Sequence, residues 1–293
     1  MKIAVPRSVR RLLLVLAALV AVGYGAAAVW LMSQETSLVF KAGRQLGPAR
    51  PKAPFEQVDL PRADGLRQFA WVMPNGDDAI DRPWVLYLHG NAATISHRTN
   101  IVRYEQLRAL GVNLLAPEYR GYGGLDGTPT EQGLYADARV AYDYLRTTKQ
   151  IPSDRIVVYG WSLGGAVAVH LASEVRQAGV ILEGAPASLV GIGQAQYPLF
   201  PIRLLMRNPF DAILRVGQIT SPLLFLHSPE DTIVPFNQGR QLFESARASK
   251  TFIEIRGGHV NSAELDGRVF FGAVRKFLHA TVLAADQPAV SLH

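Results

Sequence analysis

The run Gly160-Trp161-Ser162-Leu163-Gly164-Gly165 places a serine hydroxyl between glycines two residues before and two after it, directly behind the β-branched stretch Ile156-Val157-Val158-Tyr159. A strand that turns this sharply into a helix holds its turning residue in a strained conformation, and small neighbours avoid the clash that would follow. The new helix also aims free N–H groups at the serine, an environment that favours negative charge. Such a serine can simply cap a helix, but the strand–serine–helix context favours a nucleophile. A hydroxyl becomes a useful nucleophile only when a base removes its proton. Of the seven histidines, His259 in Arg256-Gly257-Gly258-His259 follows the last predicted strand, where a loop can carry it over the sheet edge. His89 also ends a strand but stands too early in the chain for the usual order of this motif. His227 ends another and is expected to brace the loop after it, while His97, His170, His279 and His293 fall in helices or the tail.

A third group must accept the imidazole N–H and steady the imidazolium formed during attack. His227-Ser228-Pro229-Glu230-Asp231-Thr232 supplies Asp231, with Glu230 as the fallback. A carboxylate here could also do no more than order the turn before the next helix. The resulting order, Ser162, Asp231, His259, is the one this motif requires. Charge developing on a carbonyl oxygen needs N–H donors. The backbone of Leu163, just after the serine, is one candidate; the backbone of Asn91, just after the strand ending His89-Gly90, is the other. No His/Asp/Glu cluster has metal-site spacing. Gly121-Tyr122-Gly123-Gly124 is not followed by a phosphate-binding helix, so neither a metal nor another cofactor is expected.

These residues need a scaffold that gathers distant loops. Short apolar runs at residues 66–73, 84–88, 112–116, 156–159, 180–182, 223–226 and 251–255 read as strands. Helical spacing lies between them at 98–110, 131–145 and 163–177, and again at 263–283. Strands alternating with helices of this length imply a mainly parallel sheet covered on both faces, the α/β class. Residues 185–220 separate two strands by more than an ordinary loop. Pro198, Pro201 and Pro209 break them into short pieces, and Phe200, Leu204, Leu205, Met206 and Phe210 make them apolar, so a small helical cap is expected. For its first half, an ordinary crossover helix with a long entry loop fits as well.

The 293 residues suit one large domain plus a short appendage. There is no cysteine, which excludes disulfides, thiolate metal sites and a cysteine nucleophile. The net charge of +6 comes with no nucleic-acid-binding module. Its densest cluster, Lys2, Arg7, Arg10 and Arg11, directly precedes an apolar stretch at residues 12–31, whose length of about 20 residues matches a hydrocarbon core. Trp30 suits the interfacial aromatic belt. We therefore expect a membrane anchor at residues 1–35, with its helix at about 12–31. The α/β domain at 36–285 follows, entered through a connection at 33–55, and a flexible tail at 286–293. The preceding cations favour an exported domain, although Lys41, Arg44, Arg50 and Lys52 weaken the asymmetry. Cleavage near Ala26-Ala27-Ala28 is the alternative and would release a secreted protein.

Four segments in this order resemble the α/β-hydrolase superfamily: LHGNA at 88–92, PEYRGYG at 117–123, GWSLGG at 160–165, and HSPEDTIVP at 227–235 with GGH at 257–259. More narrowly they resemble the single-pass membrane α/β-hydrolase-domain proteins, which include lysophospholipases and protein depalmitoylases. That family often has Asp where Glu118 stands, a structural ion-pair site, and Asn-Asp where Val260-Asn261 follow the histidine. The resemblance implies the α/β-hydrolase fold with Ser162, Asp231 and His259 as the catalytic residues. It also implies an esterase, lipase or thioesterase acting on acyl ester or thioester small molecules, lipids or acylated proteins. Related dehalogenases and epoxide hydrolases carry aspartate at the elbow, which Ser162 excludes. A serine peptidase of the same fold and a catalytically inactive acyl-binding protein are the competing expectations.

Overall fold

Short runs of β-branched and aromatic residues, each closed by glycine, proline or a polar turn, build the centre of the protein. The computed structural model describes residues 6–42, 45–52, 54–62, 64–76 and 82–283. The expected tail at 286–293 lies outside them. Helix α1 (Arg7–Val39) is followed by β1 (Glu56–Asp59), β2 (Phe69–Met73), β3 (Trp84–Leu88), α2 (Arg98–Arg108), β4 (Asn113–Pro117) and α3 (Glu131–Asp143). Then come β5 (Ile156–Trp161), α4 (Leu163–Glu174), β6 (Gly179–Glu183), α5 (Leu189–Gln196) and α6 (Ile202–Leu205). The chain continues through β7 (Leu223–His227), α7 (Phe236–Ser245), β8 (Lys250–Glu254), α8 (Ser262–Leu265) and α9 (Gly267–Leu278).

The eight strands form one sheet in the order β1-β2-β4-β3-β5-β6-β7-β8. Pairing is antiparallel as far as β4 and parallel from β4 onward. Alternate residues feed two cores, as a period of two demands. Leu86, Leu88 and Val158 pack with Leu134 and Ala138 of α3, Val167 and Leu171 of α4 and Leu242 of α7. Val85, Tyr87 and Tyr159 pack with Tyr104 and Leu107 of α2 and Phe270 and Val274 of α9. The parallel register pairs Leu88 with Gly160, Trp161 with Glu183, Glu183 with Leu226 and His227 with Glu254. The loops leaving β3, β5, β6, β7 and β8 therefore emerge along one edge, which is what a site built from them requires.

The structure departs from the sequence expectations in three places. The N-terminal helix covers 33 residues rather than about 20, running through Val39 into the expected connection. It is exposed along its apolar part but buries Leu31 and Glu35. Glu35 explains the extension: its Oε1 accepts hydrogen bonds from the backbone N–H groups of Arg207 and Asn208, both at 2.7 Å, and from Asn208 Nδ2 at 3.0 Å. Strand β1 escapes sequence reading because its exposed residues Glu56, Gln57 and Asp59 carry no apolar signal, and only the neighbouring edge of β2 makes it a strand. The single helix expected over 263–283 breaks at Asp266, whose side chain turns back to accept the Arg256 N–H at 3.1 Å.

Between β6 and β7 the chain forms α5, α6 and two short 3₁₀ turns at Ala212–Leu214 and Val216–Gln218. These are the short pieces that the prolines impose. Glu131 at the start of α3 ties this segment down, accepting the Phe210 N–H at 2.8 Å.

Candidate active site

Ser162 sits between β5 and α4 with φ 55° and ψ −123°, a conformation rarely adopted by residues with a Cβ. The surrounding backbone enforces it. A Cβ on Gly164 would lie 2.1 Å from the Leu88 carbonyl oxygen, and one on Gly160 would lie 2.4 Å from the Gly164 oxygen. The Ser162 N–H also donates to the Glu183 carbonyl at 2.8 Å, pinning the turn to the neighbouring strand. The hydroxyl is thus raised over the edge where the parallel strands end.

The other predicted residues converge on it. His259 Nε2 lies 2.7 Å from Ser162 Oγ, and His259 Nδ1 lies 2.6 Å from Asp231 Oδ2. With the Nδ1 proton directed at Asp231, Nε2 is left to accept the serine O–H. Asp231 Oδ1 accepts the N–H groups of Ile233 at 2.9 Å and Val234 at 2.8 Å. His227 braces the same loop as expected, with Nε2 2.9 Å from the Val234 carbonyl and 3.4 Å from Asp231 Oδ2. Glu230, the fallback acid, is exposed, and its N–H donates to Ser228 Oγ at 3.0 Å. Burial pushes the Asp231 carboxyl up, but hydrogen bonds from His227 and His259 outweigh it and hold the group below the usual carboxylate range.

A depressed native pKa stabilises the fold wherever Asp231 is ionised in both states, and this contribution vanishes as pH falls through the native value. The contribution is complete above about pH 4, the ordinary Asp range, and shrinks below it. The melting-temperature gap between wild type and Asp231→Asn should therefore narrow as pH drops below about 4. A gap that stays constant from neutral pH into this acidic range would contradict the assignment.

Leu163 opens α4, so its N–H has no acceptor within the helix. Asn91 borders the same cavity as Ser162 and Leu163. Its side chain is engaged away from the serine: Oδ1 accepts from Lys41 N at 2.9 Å, Ala92 N at 2.8 Å and Tyr122 Oη at 2.8 Å, while Nδ2 donates to the Val39 carbonyl. Behind this loop, buried His89 and Glu118 meet at 2.9 Å, and Glu118 Oε2 accepts the Ile95 N–H at 3.1 Å. Glu118 thus occupies a buried, hydrogen-bonded structural position beneath this loop.

Sequence reading did not single out Arg103 and Glu183. Both are buried, joined by two hydrogen bonds, and Tyr159 Oη donates to Glu183 Oε2 at 2.5 Å. The guanidinium lies 4.5 Å from the centre of the Trp161 ring, which stacks 6.0 Å from His259. Glu183 closes the apolar run of β6, whereas Arg103 stands in the middle of α2, where the sequence does not set it apart from the other helix cations.

A cavity of about 240 Å³ opens over Ser162, Leu163 and Asn91. Its walls are apolar: Leu189, Ile192, Ile202, Leu205 and Met206 from the segment between β6 and β7, and Leu31 and Leu38 from α1. Among the described residues no cluster of three or more His, Asp or Glu could hold a metal ion.

A parallel sheet with a serine elbow at its carboxyl edge and a helical insertion above it defines the alpha/beta hydrolase class. Residues 85–248 match the alpha/beta hydrolase family, and the chain belongs to it. An uncharacterized Mycobacterium tuberculosis protein is 34% identical over 269 residues, covering 91% of this chain and 95% of its own length. The alpha/beta hydrolase domain-containing protein WAV2 of Arabidopsis thaliana is 30% identical, covering 79% of this chain and 80% of its own. Among solved structures, the Pyrococcus furiosus esterase Pf2001 superposes with a TM-score of 0.70 at 20% identity, over 83% of this chain and 98% of that one. At that identity the likeness speaks to the fold.

Proposed function

We propose that this protein is a serine hydrolase that cleaves carboxylic ester or thioester bonds of acylated or lipid-like substrates through an acyl-enzyme on Ser162. The observation that carries the reading is the unbroken chain from Ser162 Oγ to His259 to Asp231, at 2.7 and 2.6 Å, with Ser162 lining a largely apolar cavity. His259 Nε2 takes the proton as Ser162 Oγ attacks the acyl carbonyl, and Asp231 steadies the imidazolium. The N–H groups of Leu163 and Asn91 receive the oxyanion, where losing one donor typically costs about 2.7–4 kcal/mol. His259 then protonates the leaving alcohol or thiol. A water deprotonated by the same imidazole releases the carboxylic acid and restores the serine. No metal or cofactor enters these steps.

Helix α1 is the one helix among the described residues long and apolar enough to cross a membrane, and an 18-residue stretch of it has a mean hydropathy of 2.5. It supports a single-pass anchor; the cations before its apolar stretch favour an exported domain, and the segment 185–220 serves as the cap over the site. Retention of residues 1–35 in the mature protein, read by intact mass, separates an anchor from a cleaved signal segment.

A fluorophosphonate probe should label the wild type and leave Ser162→Ala unlabelled; equal labelling would refute the nucleophile. Turnover of p-nitrophenyl butyrate without cleavage of aminoacyl amides favours the esterase over a peptidase of this fold. Folded protein with neither labelling nor turnover would favour an inactive acyl-binding protein.

A further inference from the structure

Helix α1 and the insertion between β6 and β7 both line the cavity, and they meet well inside the apolar part of α1. Leu31 packs with Val190 and Ile202. Seven residues earlier, about 10 Å along the axis at 1.5 Å per residue, Tyr24 stacks on Phe200 with ring centres 5.1 Å apart. Its hydroxyl donates to the Leu199 carbonyl at 2.8 Å. If residues 12–31 fill a hydrocarbon core, which takes about 20 residues, the level of Tyr24 lies inside the lipid boundary and the insertion reaches it.

The surface of that tip suits such a depth. Leu199 and Leu204 are 81% and 80% exposed, and most apolar residues of α1 are exposed as well. The nearby cations are paired, Arg203 with Asp211 and Arg207 with Glu35. Exposed leucines flanking a spanning helix gain free energy on entering the headgroup and acyl boundary.

We infer that residues 198–205 are seated in the membrane beside α1, so that the cavity receives an acyl chain sideways from the bilayer rather than from water. The seating rests on these contacts and on the reading of α1 as a membrane anchor; the delivery of a substrate rests on the reading of Ser162 as nucleophile. The glutamate clamp from α1 to Arg207 and Asn208 makes the two elements one body, which holds the tip at a set depth.

The absence of cysteine makes the test direct. Leu204→Cys and, as control, Thr251→Cys at the start of β8 are introduced singly into the full chain. Each is labelled with an environment-sensitive nitrobenzoxadiazole and reconstituted into phosphatidylcholine–phosphatidylglycerol liposomes. The label at 204 should be quenched by doxyl groups on the lipid chains and spared by aqueous iodide, with the reverse at 251. Iodide quenching of 204 equal to that of 251 would overturn the seating whatever the activity. So would shielding of 204 from both quenchers with chain-to-chain crosslinks, which would point to a second copy. In parallel, Leu199→Asp/Leu204→Asp should keep p-nitrophenyl butyrate turnover within about twofold while lowering turnover of a bilayer-held acyl ester about tenfold, since interfacial binding scales with buried apolar area. Equal effects on both esters would overturn sideways delivery. Lipid quenching at 204 in a wild type inactive on both esters would support the seating and refute the hydrolase reading instead.

Discussion

Ser162→Ala should lower turnover of a soluble acyl ester by about 10⁴-fold or more, the scale on which serine hydrolases respond to loss of the nucleophile. The variant removes one oxygen and leaves the Cβ, so the strained turn at φ 55° is no harder to form and the melting temperature should barely move. His259→Ala should fall by a similar factor, because a serine that keeps its proton is as inert as no serine. The double variant should be no worse than either single one, since the groups act as a unit. Residual activity comes from the oxyanion donors and from binding, which neither change touches. Steady-state kinetics on purified variants, with thermal melts alongside, decide the matter. If the double variant lost the product of the two single effects, the shared proton path would be wrong.

The largest effect on stability is expected from Arg103→Met. Arg103 and Glu183 are each about 1% exposed, and their bidentate contact is closed by Tyr159. Removing the guanidinium leaves a carboxylate in a dry interior, for which about 3–5 kcal/mol is typical. In a domain of this size each kcal/mol shifts the melting temperature by roughly 2–4 °C, so a fall of about 10 °C is expected. Adding Glu183→Gln should recover much of it, because the buried charge is gone and the amide oxygen can still accept from Tyr159. Circular dichroism melts of the three proteins test this. A single variant melting within about 2 °C of wild type would mean that Glu183 finds water or another partner. The pair also reaches the site, since the Glu183 carbonyl holds the Ser162 N–H and Arg103 underlies Trp161 beside His259.

Much of the fold and of the candidate site was legible in the chain. The glycines around Ser162 announce the elbow because close backbone contacts, such as Gly164 against Leu88, admit no side chain. Asp231 and His259 follow strands, and in a parallel sheet every loop at the carboxyl end shares one edge, so strand order alone predicts their meeting. The alternating apolar runs foretold the buried strands for the same reason. By contrast, β1 carries no pattern, since an exposed edge strand owes its form to its neighbour. Arg103 and Glu183 lie 80 residues apart, and nothing local marks two charges as partners.

Residue types and their spacing determined which atoms could react, the order in which the elements follow one another, and the presence of a long apolar helix at the start. The tertiary structure alone decided that this helix runs on to Val39 and lines the cavity through Leu31 and Leu38, with Glu35 gripping the backbone at Arg207 and Asn208. The physical reason is that a buried carboxylate must find donors. Those donors are backbone groups of a segment about 170 residues away, which have no side-chain identity for a sequence to display.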